Sequence, residues 1–244
     1  MQIDTVREQV KNTFKDLVFT EEDHSYYVGN RKYISVSTQL KQFYVPFPAE
    51  TIAPFSAKKW NRENPLATKK TAKDLLAEWQ LTADIACERG TGIHLFGEEY
   101  PNFSEPDCIE KEAIVKYFKD MNPDYEVLIL ELQMYSPELD YSGTADIILY
   151  NNKTGKIKIA DYKTNKNLFN SFKGKKMLTP FTDLLDDAMG HYKVQLNLYK
   201  MLLENMTGLE VESMEIVWLK ANEDDIYQLF EIPNLTEKLL PYYE

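Results

Sequence analysis

Residues 131–163 read ELQMYSPELDYSGTADIILYNNKTGKIKIADYK. Two apolar runs, 145–150 and 157–160, flank the turn-rich hexapeptide Asn-Asn-Lys-Thr-Gly-Lys, the pattern of a β-hairpin. A turn centred on Lys153–Thr154 pairs positions symmetric about it and so sets Asp146 opposite Asp161. Cross-strand neighbours lie roughly 5 Å apart at Cα, and like charges facing each other are destabilising, so two carboxylates there ask for a cation between them. Lys163, two residues beyond Asp161, points to the same strand face. Two aspartates and a lysine on one face are the components of a metal-assisted hydrolytic site. Taken singly, Asp146 also reads as a strand-end residue, and Asp161 with Lys163 as a solvent-facing ion pair. The rest of the chain has to decide between the two.

The chain has 244 residues, enough for one large or two small domains, and its 43% hydrophobic content is ample for a packed core. The N-terminal stretch MQIDTVREQVKNTFKDL carries charges where a signal peptide needs an apolar run, and no segment approaches membrane-spanning length. Cys87 and Cys108 lack metal-ligand spacing and are too few for a disulfide framework, which fits a reducing cytoplasm. A net charge of −11 argues against a basic coat, but its distribution is uneven. Residues 204–244 hold ten acids and two lysines. Residues 162–181 hold five lysines (163, 166, 173, 175 and 176) and no acid, and residues 57–73 hold six basic residues against Glu63. These two islands read either as a local anion track or as solvated lysine-rich segments.

Apolar positions at Val6, Val10, Phe14 and Leu17 predict an amphipathic helix over 4–17. Short strands follow at 25–28 and 32–36, joined through Gly29–Asn30. Prolines at 46, 48, 54 and 65 punctuate a helical segment over 45–80, read as an insertion or lid, with Trp60 beside Lys58 and Lys59. Rings next to lysines can stack bases while holding phosphates, although Trp60 and Trp79 also read as plain anchors of their helices. Helices are expected at 71–80, 82–100, 106–120, 183–206 and 235–243. On the second of these Thr91, His94 and Glu98 share a face, and its interior glycines leave room for a ligand or another backbone. Strands are expected at 125–135, 211–219 and 226–232. Glu131, an acid in an apolar strand, needs a partner, and Asp146 is in reach if the two strands are neighbours. Gln195 and Tyr199 lie one turn apart on the long helix.

The ordered set Arg-Gly-Thr-Gly-Ile-His (89–94), Glu131, Gly-Thr-Ala-Asp (143–146), Asp-Tyr-Lys (161–163) and Gln-Leu-Asn-Leu-Tyr (195–199) resembles the RecB-like branch of the PD-(D/E)XK nuclease superfamily. The early His-Ser-Tyr-Tyr and Ser-Val-Ser-Thr elements resemble those of phage and mitochondrial exonucleases in that branch. The resemblance implies an α/β fold with a restriction-endonuclease-like core, a central mixed sheet flanked by helices, in one nuclease domain over 1–244 with an N-terminal helical insertion. It implies that His94, Asp146, Asp161 and the Tyr162 carbonyl ligate a divalent metal, Mg²⁺ or Mn²⁺ by the chemistry of the donors. Lys163 would orient the attacking water and stabilise charge on phosphorus, with Gln195 and Tyr199 positioning the strand and Glu131 as an outer-shell or second-metal acid. Two cysteines cannot supply the four-cysteine iron–sulfur cluster of several relatives, so none is expected.

The function implied is a metal-dependent deoxyribonuclease, an exonuclease before an endonuclease, of phage-type recombination, repair or DNA processing. Its partners would be single-stranded DNA or duplex ends, met by Lys166, Lys173, Lys175, Lys176, Lys58, Lys59 and Trp60, and a recombination or replication protein. It would act in the cytoplasm, the host's if phage-encoded, with no membrane. The alternative is a nucleic-acid- or protein-binding module that keeps the fold without turnover.

Overall fold

The computed structural model describes residues 3–20, 22–220 and 225–243. Val6, Val10 and Phe14 form the buried stripe of the first helix, α1 (Ile3–Phe14). An antiparallel meander follows: β1 (Leu17–Thr20), β2 (Ser25–Val28) and β3 (Arg31–Ser35). The first of these strands lies where the spacing predicts the end of a helix. Ser35 ends the meander by accepting the Thr38 N–H and so caps the short α2 (Val36–Leu40). Next come α3 (Ala49–Glu63), α4 (Ala72–Gly97) and α5 (Ile109–Asp120). The hairpin stretch supplies β4 (Tyr125–Ser136), β5 (Tyr141–Asn151) and β6 (Ile157–Lys163). The chain closes with α6 (Ala188–Thr207), β7 (Val211–Leu219), β8 (Tyr227–Glu231) and α7 (Thr236–Leu239).

The strands form one mixed sheet in the order β1-β2-β3-β5-β6-β7-β8, with β4 paired to β5 off that path. β3 joins β5 in parallel and β6 joins β7 in parallel, and the remaining pairs are antiparallel. One face packs on α6 and α1, where Met134, Ile148, Ile159, Leu198, Leu202 and Ile216 are buried in a common core. The other carries α5, whose Tyr117 donates to the buried Glu215 of β7 at 3.0 Å. This is the expected α/β architecture, a central mixed sheet flanked by helices.

Two compact units are distinguished: Met1–Val45 with Phe96–Glu244, and Pro46–Leu95. Within the smaller one Asn61 holds Lys70 through both its backbone N–H and its carbonyl at 2.8 Å, and Phe47 meets Trp79 edge to face at 5.6 Å.

Several helices differ from expectation. The pieces predicted at 71–80 and 82–100 are one helix, α4, because nothing breaks it at Leu81 and the Thr82 hydroxyl simply donates back to the Glu78 carbonyl at 2.8 Å. The helix predicted from Asp183 begins at Ala188, because the buried Asp187 carboxylate accepts the Gly190 N–H at 2.8 Å and fixes the N-terminus there. The closing helix is shorter as well, Thr236–Leu239 followed by a single 3₁₀ turn.

Candidate active site

β5 changes partners along its length. One edge is taken by β4 throughout, while the other pairs with β3 only at Tyr141 and Ser142 and with β6 only from Ile147 to Tyr150. Asp146 lies in the interval, at the fork between β3 and β6. The β5–β6 ladder ends at Ile147↔Ala160, so its next position would be Asp146 against Asp161. The register is thus the one expected from the turn, but the strands diverge just before that pair would form. There the Asp146 carboxylate accepts the Tyr162 N–H at 2.8 Å. β6 continues beyond the fork beside β7, with Asp161↔Ile216 and Lys163↔Trp218.

Glu131 reaches the same place from the other side. The β4–β5 ladder runs Leu130↔Ile147 and Leu132↔Ala145 and passes over the position between, Glu131 and Asp146. Glu131 has a φ of 47°, rare for a residue with a side chain, and a bulge between Val127 and Ile129 shifts the strand just before it. The ladder is thus irregular before the acid, while Leu130↔Ile147 and Leu132↔Ala145 keep one register across it. Strain of this kind persists where surrounding structure over-determines it, and it clusters at functional sites.

Asp161 is 1% exposed and Asp146 6% exposed, so both carboxylates have left water and need compensation. Asp161 pairs with Lys163, whose ammonium also sits 4.5 Å from the centre of the Tyr192 ring. Burial pulls the Lys163 ammonium down, yet Asp161 and Asp146 outweigh it and hold it above the ordinary lysine range. The lysine therefore stays charged, a fixed cation.

α6 delivers the other two predicted residues. Gln195 Nε2 donates to the Tyr199 hydroxyl at 2.8 Å. Burial, then the Asp161 and Asp146 charges, push the Tyr199 phenol well above its usual range, so it serves as a neutral hydrogen-bonding group. Gly143 makes room for it: a Cβ there would lie 2.7 Å from the Tyr199 ring and 2.9 Å from Val36. Tyr26, which the sequence did not single out, bonds the Thr144 hydroxyl at 2.8 Å, and its phenol is raised by burial and by Glu131. Its only signal was its place in the His-Ser-Tyr-Tyr element. Tyr162 lies against Gly97, where a Cβ would come 2.8 Å from its ring.

His94 stands on the last turn of α4. His94, Glu131 and Asp146 each offer a ligand atom, all within 4.8 Å of one another. One imidazole and two carboxylates are a donor set that a hard or borderline divalent cation accepts, so these residues fit a metal. Asp161 is outside that set, its carboxylate held by Lys163.

The basic islands divide. Lys175 is engaged with Asp186 at 2.7 Å and with the Val45 carbonyl at 3.1 Å, and Lys176 donates to the Asp183 carbonyl at 3.2 Å. Lys166 and Lys173 are exposed, as are Lys58 and Lys59, while the Trp60 ring lies under Lys70 at 4.7 Å. Among the described residues no helix is long and apolar enough to cross a membrane.

No known family's sequence profile matches the chain, and no curated protein matches it. Among solved structures, this chain is similar to one from Eubacterium rectale whose provisional name is exonuclease. The two are 15% identical, with 93% of this chain and 83% of that one covered, at a TM-score of 0.43. Any assignment of function therefore has to come from the chemistry of the fork itself.

Proposed function

We propose that the protein is a metal-dependent deoxyribonuclease of the RecB-like PD-(D/E)XK type, one nuclease domain with residues 45–80 as its helical insertion. The observation that carries this is the convergence of Glu131, Asp146, Asp161 and Lys163 on the fork of β5, three acids and a buried cation where the strands diverge. A structural ion pair accounts for Asp161 and Lys163 but not for a third acid held at positive φ opposite Asp146.

His94, Glu131 and Asp146 would hold the cation, with Asp161 and the Tyr162 carbonyl beside them. A bound Mg²⁺ or Mn²⁺ polarises a phosphoryl oxygen and offsets charge in the transition state. Lys163, kept protonated by Asp161, orients the attacking water and stabilises the developing charge on phosphorus. Asp161 keeps that ammonium in place. Tyr199 and Gln195, already bonded to each other, present a neutral donor to the strand. Lys166, Lys173, Lys58, Lys59 and Trp60 are assigned to DNA, with Lys175 and Lys176 holding their own loop in shape.

The reading is tested by incubating the protein with Mg²⁺ or Mn²⁺ and either end-labelled linear DNA or covalently closed circles. Release of end label with circles left intact is the expected result. Cleaved circles would make it an endonuclease, and no cleavage of any substrate would leave a binding module.

A further inference from the structure

Beyond Lys163 the same sheet face carries a line of aromatic rings that the hydrolytic site does not use. Parallel pairing puts Trp218 of β7 beside Lys163, and Ile216↔Phe230 puts Phe230 of the edge strand β8 on that face as well. The Trp218 and Phe230 rings are 6.2 Å apart, and Phe169, from the loop after β6, meets Phe230 edge to face at 5.4 Å. Phe169 is 52% exposed and Phe172, three residues on, 74% exposed. Phe169 and Phe172 thus keep about half and most of their surface open to a ligand.

The loop after β6 is rich in lysine. Residues 162–181 contain no acid, and the acids of β7 and β8 nearest the ledge, Glu215 and Glu231, pair with each other's positions on the opposite face. Lys166 and Lys173 are exposed, Lys173 lies 5.3 Å from the Phe172 ring, and Lys220, which pairs with Asp225, lies 5.3 Å from the Trp218 ring. The ledge is also fastened to the catalytic lysine. The Trp218 indole N–H donates to the Asn165 carbonyl at 2.7 Å, the Asn165 side chain accepts the Tyr192 hydroxyl at 2.5 Å, and the Tyr192 ring faces Lys163.

We infer that this ledge, Trp218–Phe230–Phe169–Phe172 with Lys166 and Lys173, is a platform for single-stranded nucleic acid, on which unpaired bases stack while the lysines follow the phosphates. Alternating rings and cations suit an unpaired strand, because every base has a face to stack and duplex bases are already stacked on one another. The strand's path would begin at Lys163, so the inference rests on the nuclease reading for its substrate and adds that the bound strand is unpaired on this side.

The test is equilibrium binding of a fluorescein-labelled oligodeoxythymidine, about twenty nucleotides long, and of a duplex of equal length, both in EDTA so that nothing is cut. The wild type should bind the single strand more tightly than the duplex. Phe172→Ala and Phe169→Ala should each weaken single-strand binding about fivefold to a hundredfold. Lys173→Ala should reduce the slope of log K against log salt by about 0.7. Phe172 is so exposed that its replacement leaves the fold intact, which guards against Phe169→Ala merely loosening β8. Single-strand affinity unchanged in Phe172→Ala and Phe169→Ala, or duplex bound as tightly as single strand, would overturn the platform. Loss of binding in the ledge variants alongside a wild type that never cleaves would sustain the platform and sink the nuclease. Normal binding by those variants beside a cleaving wild type would do the reverse.

Discussion

At the level of single residues the site depends on close approaches that leave little freedom. Glu131 holds a φ of 47°, a conformation that costs about 1 kcal/mol or more for a residue with a side chain. Glu131→Gly should therefore raise the unfolding free energy by about 1 kcal/mol in urea titrations while weakening Mn²⁺ binding at least tenfold by calorimetry. A variant that loses both stability and metal affinity would mean that the backbone there is not strained. Gly143→Ala should do the opposite to stability. Its methyl group would fall 2.7 Å from Tyr199 and 2.9 Å from Val36, an overpacking worth about 1–3 kcal/mol. Displacement of Tyr199 should also lower turnover more than it changes DNA affinity, which a split between kcat and KM would reveal. Asp146, Asp161 and Glu131 were legible in the sequence because acids in apolar strands demand a reason, and Lys163 because it shares a strand face with Asp161. The positive φ at Glu131 was not, since nothing local in Leu-Glu-Leu distinguishes a left-handed residue from an extended one.

At the level of elements, the β5–β6 turn sets the register on which the site depends. Asn151 folds its side chain over the turn, accepting the Lys153 and Thr154 N–H groups, and donates to Glu212 at 2.7 Å. Tyr125 and Thr154 donate to the same carboxylate at 2.8 and 2.9 Å, so Glu212 ties β4, the turn and β7 together. Burial raises the Glu212 carboxyl, but the bonds from Asn151, Tyr125 and Thr154 outweigh it and hold it below its ordinary value of 4.5. A depressed carboxylate stabilises the folded state fully above its unfolded value, and the contribution is lost as pH falls through the folded one. Glu212→Gln should thus destabilise the protein at about pH 7 and less at an acidic pH below the folded value, in thermal unfolding followed by circular dichroism. An equal deficit at both pH values would show that the carboxylate's charge is not what matters. The hairpin's register followed from turn chemistry alone, because both strands and the turn are contiguous. The fork in β5 did not, since β3 pairs at Ile34↔Tyr141 across more than a hundred residues and leaves no local pattern. The merging of two expected helices into α4 is a local matter: nothing at Leu81 breaks the helix, and its interior Gly90 and Gly92 are tolerated at about 1 kcal/mol each.

For the whole molecule, a net charge of −11 has to coexist with the polyanionic substrate proposed above. The chain does this by segregation. The acids of residues 204–244 gather at one end of the sequence, three of them (Glu223, Asp224 and Glu244) outside the described residues, while the lysines cluster in two islands. Association should accordingly be weak and steeply salt-dependent, carried by a few cations rather than by a global field. Replacing Lys58 and Lys59 together by glutamate should lower affinity for linear DNA several-fold at low salt and have little effect at about 0.5 M salt. A salt-independent loss would mean that those residues act through structure instead of charge. The most direct measurement of the central claim is single-turnover hydrolysis of end-labelled linear DNA by wild type and by Lys163→Ala, each with Mn²⁺ and with excess EDTA. The account predicts cleavage only by the wild type with metal, and a rate at least about a hundredfold lower for Lys163→Ala under the same conditions. Equal cleavage by Lys163→Ala, or cleavage by wild type that persists in EDTA, would contradict it.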